Sequence, residues 1–137
     1  MGEIRVEEEV DAKPETVWAL VREFGGVKEW NDGIDSCEVD GSGIGAVRTL
    51  KMGGIEIQER LEHIDDTGRT FSYSIISGPV PVENYLASMT IHDAAEGKAR
   101  VTWQGSFDPK GVAEEDCAKL FTGVYQGGIA AIRKAVT

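Results

Sequence analysis

One acidic side chain is out of keeping with its neighbours. Ile55, Ile57, Glu59, Leu61 and His63 alternate with Glu56, Gln58, Arg60 and Glu62, the period-two pattern of a strand with one buried face, and Glu59 falls on the apolar side. An ionised carboxylate among Ile57, Leu61 and Tyr73 is costly unless it meets a donor, a water or a ligand. Two readings stay open: an acid that orients a polar group or moves a proton, and a structural acid hydrogen-bonded to Tyr73, Arg48 or another strand. Glu8 shares a face with Ile4, Val6 and Val10 in the same way, and contact with the end of the terminal helix is the structural expectation there.

Other reactive groups lack partners. His63 stands four residues beyond Glu59, about 13 Å along a strand, too far to share a proton with it. His92 follows Ile91 and is expected to point outward. No His, Cys or carboxylate pair has metal-ligand spacing and no Ser stands in a nucleophile elbow, so neither a metal nor a covalent intermediate is expected, and no cofactor. Cys37 and Cys117, without a CxxC motif, read as buried reduced thiols. Gly41, Gly43 and Gly45 make a loose GxGxG, but the residues that follow, Ala46 to Lys51, read as a strand where a phosphate-cradling loop must open a helix.

Composition narrows the partners. The 137 residues suffice for one hydrophobic core, so residues 1–137 are expected to form a single domain. A net charge of −10 disfavours nucleic acid and anionic membranes, which need clustered Lys and Arg. No apolar stretch approaches the roughly 20 residues that span a bilayer, and Met1 to Glu9 has no signal-peptide core, so a cytoplasmic location is expected.

The elements that must position Glu59 follow from periodicity. Ile4 to Val10 reads as a strand. Pro14 suits a first helical turn, and Val17, Trp18, Leu20, Val21 and Phe24 make an apolar stripe that Gly25 and Gly26 end. Val27 to Trp30 suits a short second helix, Asn31 to Gly33 a turn, and Ile34 to Val39 a strand. The strands Ala46 to Lys51 and Ile55 to His63 follow, separated by the turn Lys51 to Gly54. Phe71, Tyr73 and Ile75 face inward on the next strand. Pro79 and Pro81 predict a loop over Gly78 to Val82. Tyr85, Ala87, Met89 and Ile91, then Val101, Trp103, Gly105 and Phe107, form two further inner sets. From about Val112 the period becomes helical, with Cys117, Leu120, Phe121, Val124, Gly128, Ile132 and Ala135 on one side up to Val136. Gly127 and Gly128 cost this helix about 1 kcal/mol each against Ala, which points either to close approach of the sheet or a ligand, or to a tolerated kink.

This order of strand, two helices, six strands and long helix resembles the helix-grip fold of the START-like superfamily, which includes polyketide cyclase/dehydratase and lipid-transport-type proteins. The similar segments are AKPETVWALVREFGGVKEW at Ala12 to Trp30, ERLEHIDD at Glu59 to Asp66, FSYSIISGPVPVENY at Phe71 to Tyr85 and TGVYQGGIAAI at Thr122 to Ile132. The resemblance implies an α+β architecture: a seven-stranded curved antiparallel sheet wrapped around the C-terminal helix, with two short helices after the first strand. The ERLEHIDD and ENY segments look like those of plant abscisic-acid receptors. In those receptors a lysine pairs with the hormone carboxylate, and the matching position here is Asn31. The receptor gate and latch are replaced by Lys51 to Gly54 and Pro79 to Val82, so hormone sensing and phosphatase docking do not carry over. Glu59 matches a cavity glutamate that works there through ordered water.

The expected function is non-catalytic binding or carriage of a small, mainly hydrophobic molecule between sheet and terminal helix. Glu59, Tyr73 and Tyr85 would orient its polar end. Met89, Trp103, Leu120, Phe121, Val124 and Tyr125 would supply the wall; Asn31, Met52, Val80, Val82 and either Val27 or Trp30 would frame the mouth. The alternative is a cyclase or dehydratase acting on a polyketide-like substrate with Glu59 or Tyr73 as acid or base. A third reading is an interaction module that uses the apolar rim; monomer and homodimer both stay open.

Overall fold

The computed structural model describes residues 1–137. The strands are β1 (Gly2–Val10), β2 (Ser36–Asp40), β3 (Val47–Met52), β4 (Ile55–Asp65), β5 (Thr70–Ser77), β6 (Val82–Asp93) and β7 (Ala99–Pro109). Helices α1 (Pro14–Val21) and α2 (Val27–Trp30) lie between β1 and β2, and α3 (Glu114–Val136) ends the chain. All seven strands form one antiparallel sheet in the order β1-β7-β6-β5-β4-β3-β2. Hairpins join β2 through β7 in succession, and β1 closes on β7. This is the helix-grip arrangement: one face of the sheet and α3 bury a continuous cluster of side chains between them. No helix is long and apolar enough to cross a membrane.

Local chemistry explains the helices. Pro14 opens α1, and Val17, Trp18 and Val21 are its buried stripe. Trp18 Nε1 and Arg22 Nε both donate to Asp66 Oδ1, at 2.9 and 2.8 Å, and tie α1 to the β4–β5 turn. The Arg22 and Trp18 hydrogen bonds hold the Asp66 carboxyl below its ordinary range. In α3, Glu114, Glu115 and Asp116 occupy the first turn and Arg133 and Lys134 the last, each sign matching the helix dipole. Arg133 also donates to Glu8 Oε1 at 3.1 Å and to the Glu9 carbonyl at 2.9 Å. Glu8 is therefore a clamp between β1 and the end of α3.

Irregularities in the sheet revise several expectations. Opposite Tyr73 and Ser72, β4 carries one extra residue between Leu61 and His63, so the inward series runs Leu61 then Ile64, and His63 is exposed. On β5 the matching irregularity lies opposite Gln58 and Glu59, leaving Ile75 packed inward and Ile76 exposed. A third, on β6 between Glu83 and Leu86, includes Asn84 at φ +51°. It turns both Val82 and Tyr85 inward, so Val82 belongs to a strand and not to the preceding loop. The strand read from Ile34 starts at Ser36, and Ile34 is a buried residue of the connection.

The long helix is rotated relative to its expected face. Cys117, Phe121, Tyr125, Gly128, Ile129 and Ile132 face the sheet. Leu120 and Val124 are 52% and 51% exposed, and Ala135 is also exposed. Both cysteines are free thiols; Cys117 is buried and Cys37 half-buried, and burial pushes the Cys37 thiol pKa up.

Candidate functional site

A cavity of about 300 Å³ opens between α2, the β3–β4 hairpin and α3. Val27, Ile34, Leu50 and Met52 form its apolar side, and Gly123, Val124 and Gly127 form its helical edge. Arg48, Glu59, Tyr73 and Trp103 supply the polar and aromatic surface. The pleat produces this mixture: Arg48 and Glu59 sit on the inward faces of β3 and β4 and are direct cross-strand partners.

Arg48 and Glu59 form a buried ion pair. Arg48 Nε donates to Glu59 Oε1 at 2.9 Å, and Nη2 lies 2.7 Å from the same oxygen. Nη1 donates to the Phe24 carbonyl at 2.9 Å, and the guanidinium carbon sits 4.0 Å from the Phe24 ring centre. The two residues are only 6% and 8% exposed, so each charge depends on the other to offset its desolvation. Glu59 Oε2 accepts no hydrogen bond from the protein. The structural partner anticipated for Glu59 is thus Arg48, and one carboxylate oxygen is left over beside the cavity.

The tyrosines are held as neutral phenols. Tyr73 accepts a hydrogen bond from Trp103 Nε1 at 3.1 Å. Burial, reinforced by the Glu59 charge, pushes its pKa well above the ordinary value. Tyr73 is a donor at accessible pH and a poor base. Tyr85 and Tyr125 hydrogen-bond through their hydroxyls, and burial raises both pKa values. Tyr125 stacks on Trp103 with ring centres 4.6 Å apart and planes 9° from parallel.

The adjacent glycines of α3 have different reasons. A Cβ on Gly128 would come within 2.4 Å of Trp103 Cζ3, so only glycine lets the helix meet that indole. A Cβ on Gly123 or Gly127, both exposed residues of the cavity edge, would meet nothing within 4 Å, so packing does not require glycine at either.

Over residues 1–137 the sequence matches the polyketide cyclase/dehydrase and lipid transport family. The chain belongs to this family. It is 31% identical to the abscisic acid receptor PYL6 of Arabidopsis thaliana over 105 residues, 69% of this chain and 49% of the receptor. Against PYL1 of the same plant the identity is 31% over 127 residues, covering 82% and 57%. The chain spans about half the length of these receptors. Two solved structures share the fold closely. The XoxI protein of Bacillus cereus superposes with a TM-score of 0.93 at 34% identity over 99% of this chain and 96% of its own. An uncharacterised protein of Bacillus thuringiensis does so with a TM-score of 0.92 at 32% identity, over 98% of each chain.

Within this family member, seven of the residues singled out by sequence line the cavity: Val27, Asn31, Met52, Glu59, Tyr73, Trp103 and Val124. Asn31 also closes the turn after α2, its Oδ1 accepting the Gly33 N–H at 3.0 Å. Tyr85, Met89 and Phe121 stand outside the lining, in the solid aromatic core; Met89 is paired across the sheet with Trp103, and Phe121 packs 5.0 Å from Tyr85. Leu120 is exposed on α3, and Val80 and Val82 lie outside the lining near the start of β6. Tyr85, Met89 and Phe121 are buried in the core, where α3 turns Tyr125 and Ile129 to the sheet. Arg48, Ile34, Leu50, Gly123 and Gly127 are lining residues not placed there by the sequence reading. Arg48 had a usable signal: Ala46, Arg48 and Leu50 alternate with Val47 and Thr49 just as Glu59 alternates with its neighbours.

Proposed function

We propose that this protein binds or carries a small, mainly hydrophobic molecule with one polar group, held between α3 and the β3–β4 hairpin. The observation that carries the reading is the combination, in one 300 Å³ space, of an apolar wall and a buried ion pair with an unused acceptor oxygen. The bare edge at Gly123 and Gly127 supports it. Each glycine sacrifices about 1 kcal/mol of helix stability without relieving any contact, which is understandable if the space is used. Val27, Leu50 and Met52 would supply most of the affinity through loss of apolar surface to water, and Glu59 would set the orientation. Membership in a family described by polyketide cyclase/dehydrase and lipid transport fits such a ligand. The cyclase alternative would use Glu59 as acid or base, with Tyr73, which stays protonated, as a proton or hydrogen-bond donor.

Thermal-shift and native mass-spectrometric screening of aliphatic and aromatic compounds tests the proposal. At least one compound should stabilise the protein, and Gly127→Leu, which fills the cavity edge, should weaken it about tenfold or more. A library with no stabilising compound, or stabilisation untouched by Gly127→Leu, would remove the cavity from the function.

A further inference from the structure

We infer that the ligand taken by this cavity is uncharged and presents a hydrogen-bond donor, an alcohol O–H or amide N–H, to Glu59 Oε2. The inference rests on the binding reading above and concerns the chemical class of the ligand. It follows from the charges that face the space. Arg48 and Glu59 are the only ionised side chains of the lining, and they neutralise each other. Asn31 and Tyr73 add polarity without charge.

A carboxylate brought to this floor would meet Glu59 Oε2 with no uncommitted cation. Arg48 is turned to Glu59 through Nε and Nη2 and to the Phe24 carbonyl through Nη1. Burying an uncompensated carboxylate there costs several kcal/mol. The net charge of −10 adds a weaker, salt-screened repulsion. An ammonium group would reach Glu59 but compete with Arg48 and leave one positive charge in excess. A hydroxyl avoids both penalties. It donates to Oε2 and brings no charge of its own.

The volume limits the size. At about 30 Å³ per water-sized group, 300 Å³ accommodates roughly ten non-hydrogen atoms. Phenylpropanol, phenylpropionate and phenylpropylammonium are matched probes of that size that differ in charge. NMR titration of the full chain at neutral pH, followed at the Trp103 indole and the Gly127 amide, gives an affinity for each. The alcohol should bind about tenfold or more tightly than either ion. In Glu59→Gln, nearly isosteric, Arg48 is freed and phenylpropionate should become the best of the three. Equal or tighter binding of either ion to the wild-type protein would overturn the inference and leave a binding cavity standing. Retention of the alcohol preference in a folded Glu59→Gln protein would also overturn it. If no probe shifts the Trp103 or Gly127 signals, the binding reading itself falls. Should Glu59→Gln not fold, the wild-type order of the three probes decides alone.

Discussion

Gly127 and Gly128 are neighbours in sequence and opposites in environment. Gly128 is pressed against Trp103, where the helix, the indole and the stacked Tyr125 ring form a solid wall. Gly127 looks into open space beside the Arg48–Glu59 pair. The same residue type serves close packing in one place and emptiness in the other. The sheet is therefore divided: β1 and β7 lie close against α3, and the β3–β4 hairpin stands away from it. A cavity survives in so small a domain because its polar floor is already neutralised by a cross-strand partner and needs no helix against it.

The sharpest way to break this division is to remove the partner that makes the open half tolerable. Arg48→Ala leaves Glu59 buried without a cation and should destabilise the protein by about 3–5 kcal/mol in chemical denaturation. The double variant Arg48→Met/Glu59→Leu, with no charge to bury, should recover most of that loss. A smaller effect is expected in the packed half. Gly128→Ala drives a methyl group into Trp103 and should cost about 1–3 kcal/mol, with loss of the near-ultraviolet circular dichroism of the stacked Trp103–Tyr125 pair. The smallest effect has the opposite sign. Gly127→Ala meets no neighbour and should stabilise by about 1 kcal/mol through helix propensity. Equal destabilisation by the two alanines would mean that the helix edge at Gly127 is packed after all.

Much of this arrangement was readable from residue patterns. Alternation in β4 put Glu59 inward, and the same rule applied to Ala46, Arg48 and Leu50 finds its partner. The short helix at Val27 to Trp30 and the doubled glycine of the long helix were also legible. Alternation failed at bulges. One extra residue near Glu62 exchanged His63 for Ile64 on the inner face, and another near Asn84 brought Val82 in beside Tyr85. A bulge is a mismatch between two strands, and neither strand shows it alone.

The sequence by itself determined the order of elements, the inward side of the strands away from their bulges and the acid that does not belong among its apolar neighbours, because these depend on local periodicity and on the cost of burying charge. Tertiary structure alone decided which flank of α3 faces the sheet. Leu120 and Val124 compete with Tyr125 and Ile129 at equivalent helical spacing, and both sets are apolar. The observed rotation sets Gly128, which has no Cβ, against Trp103 and buries Tyr125 and Ile129. In that rotation Tyr125 lies in the core and Gly127 lies at the cavity edge.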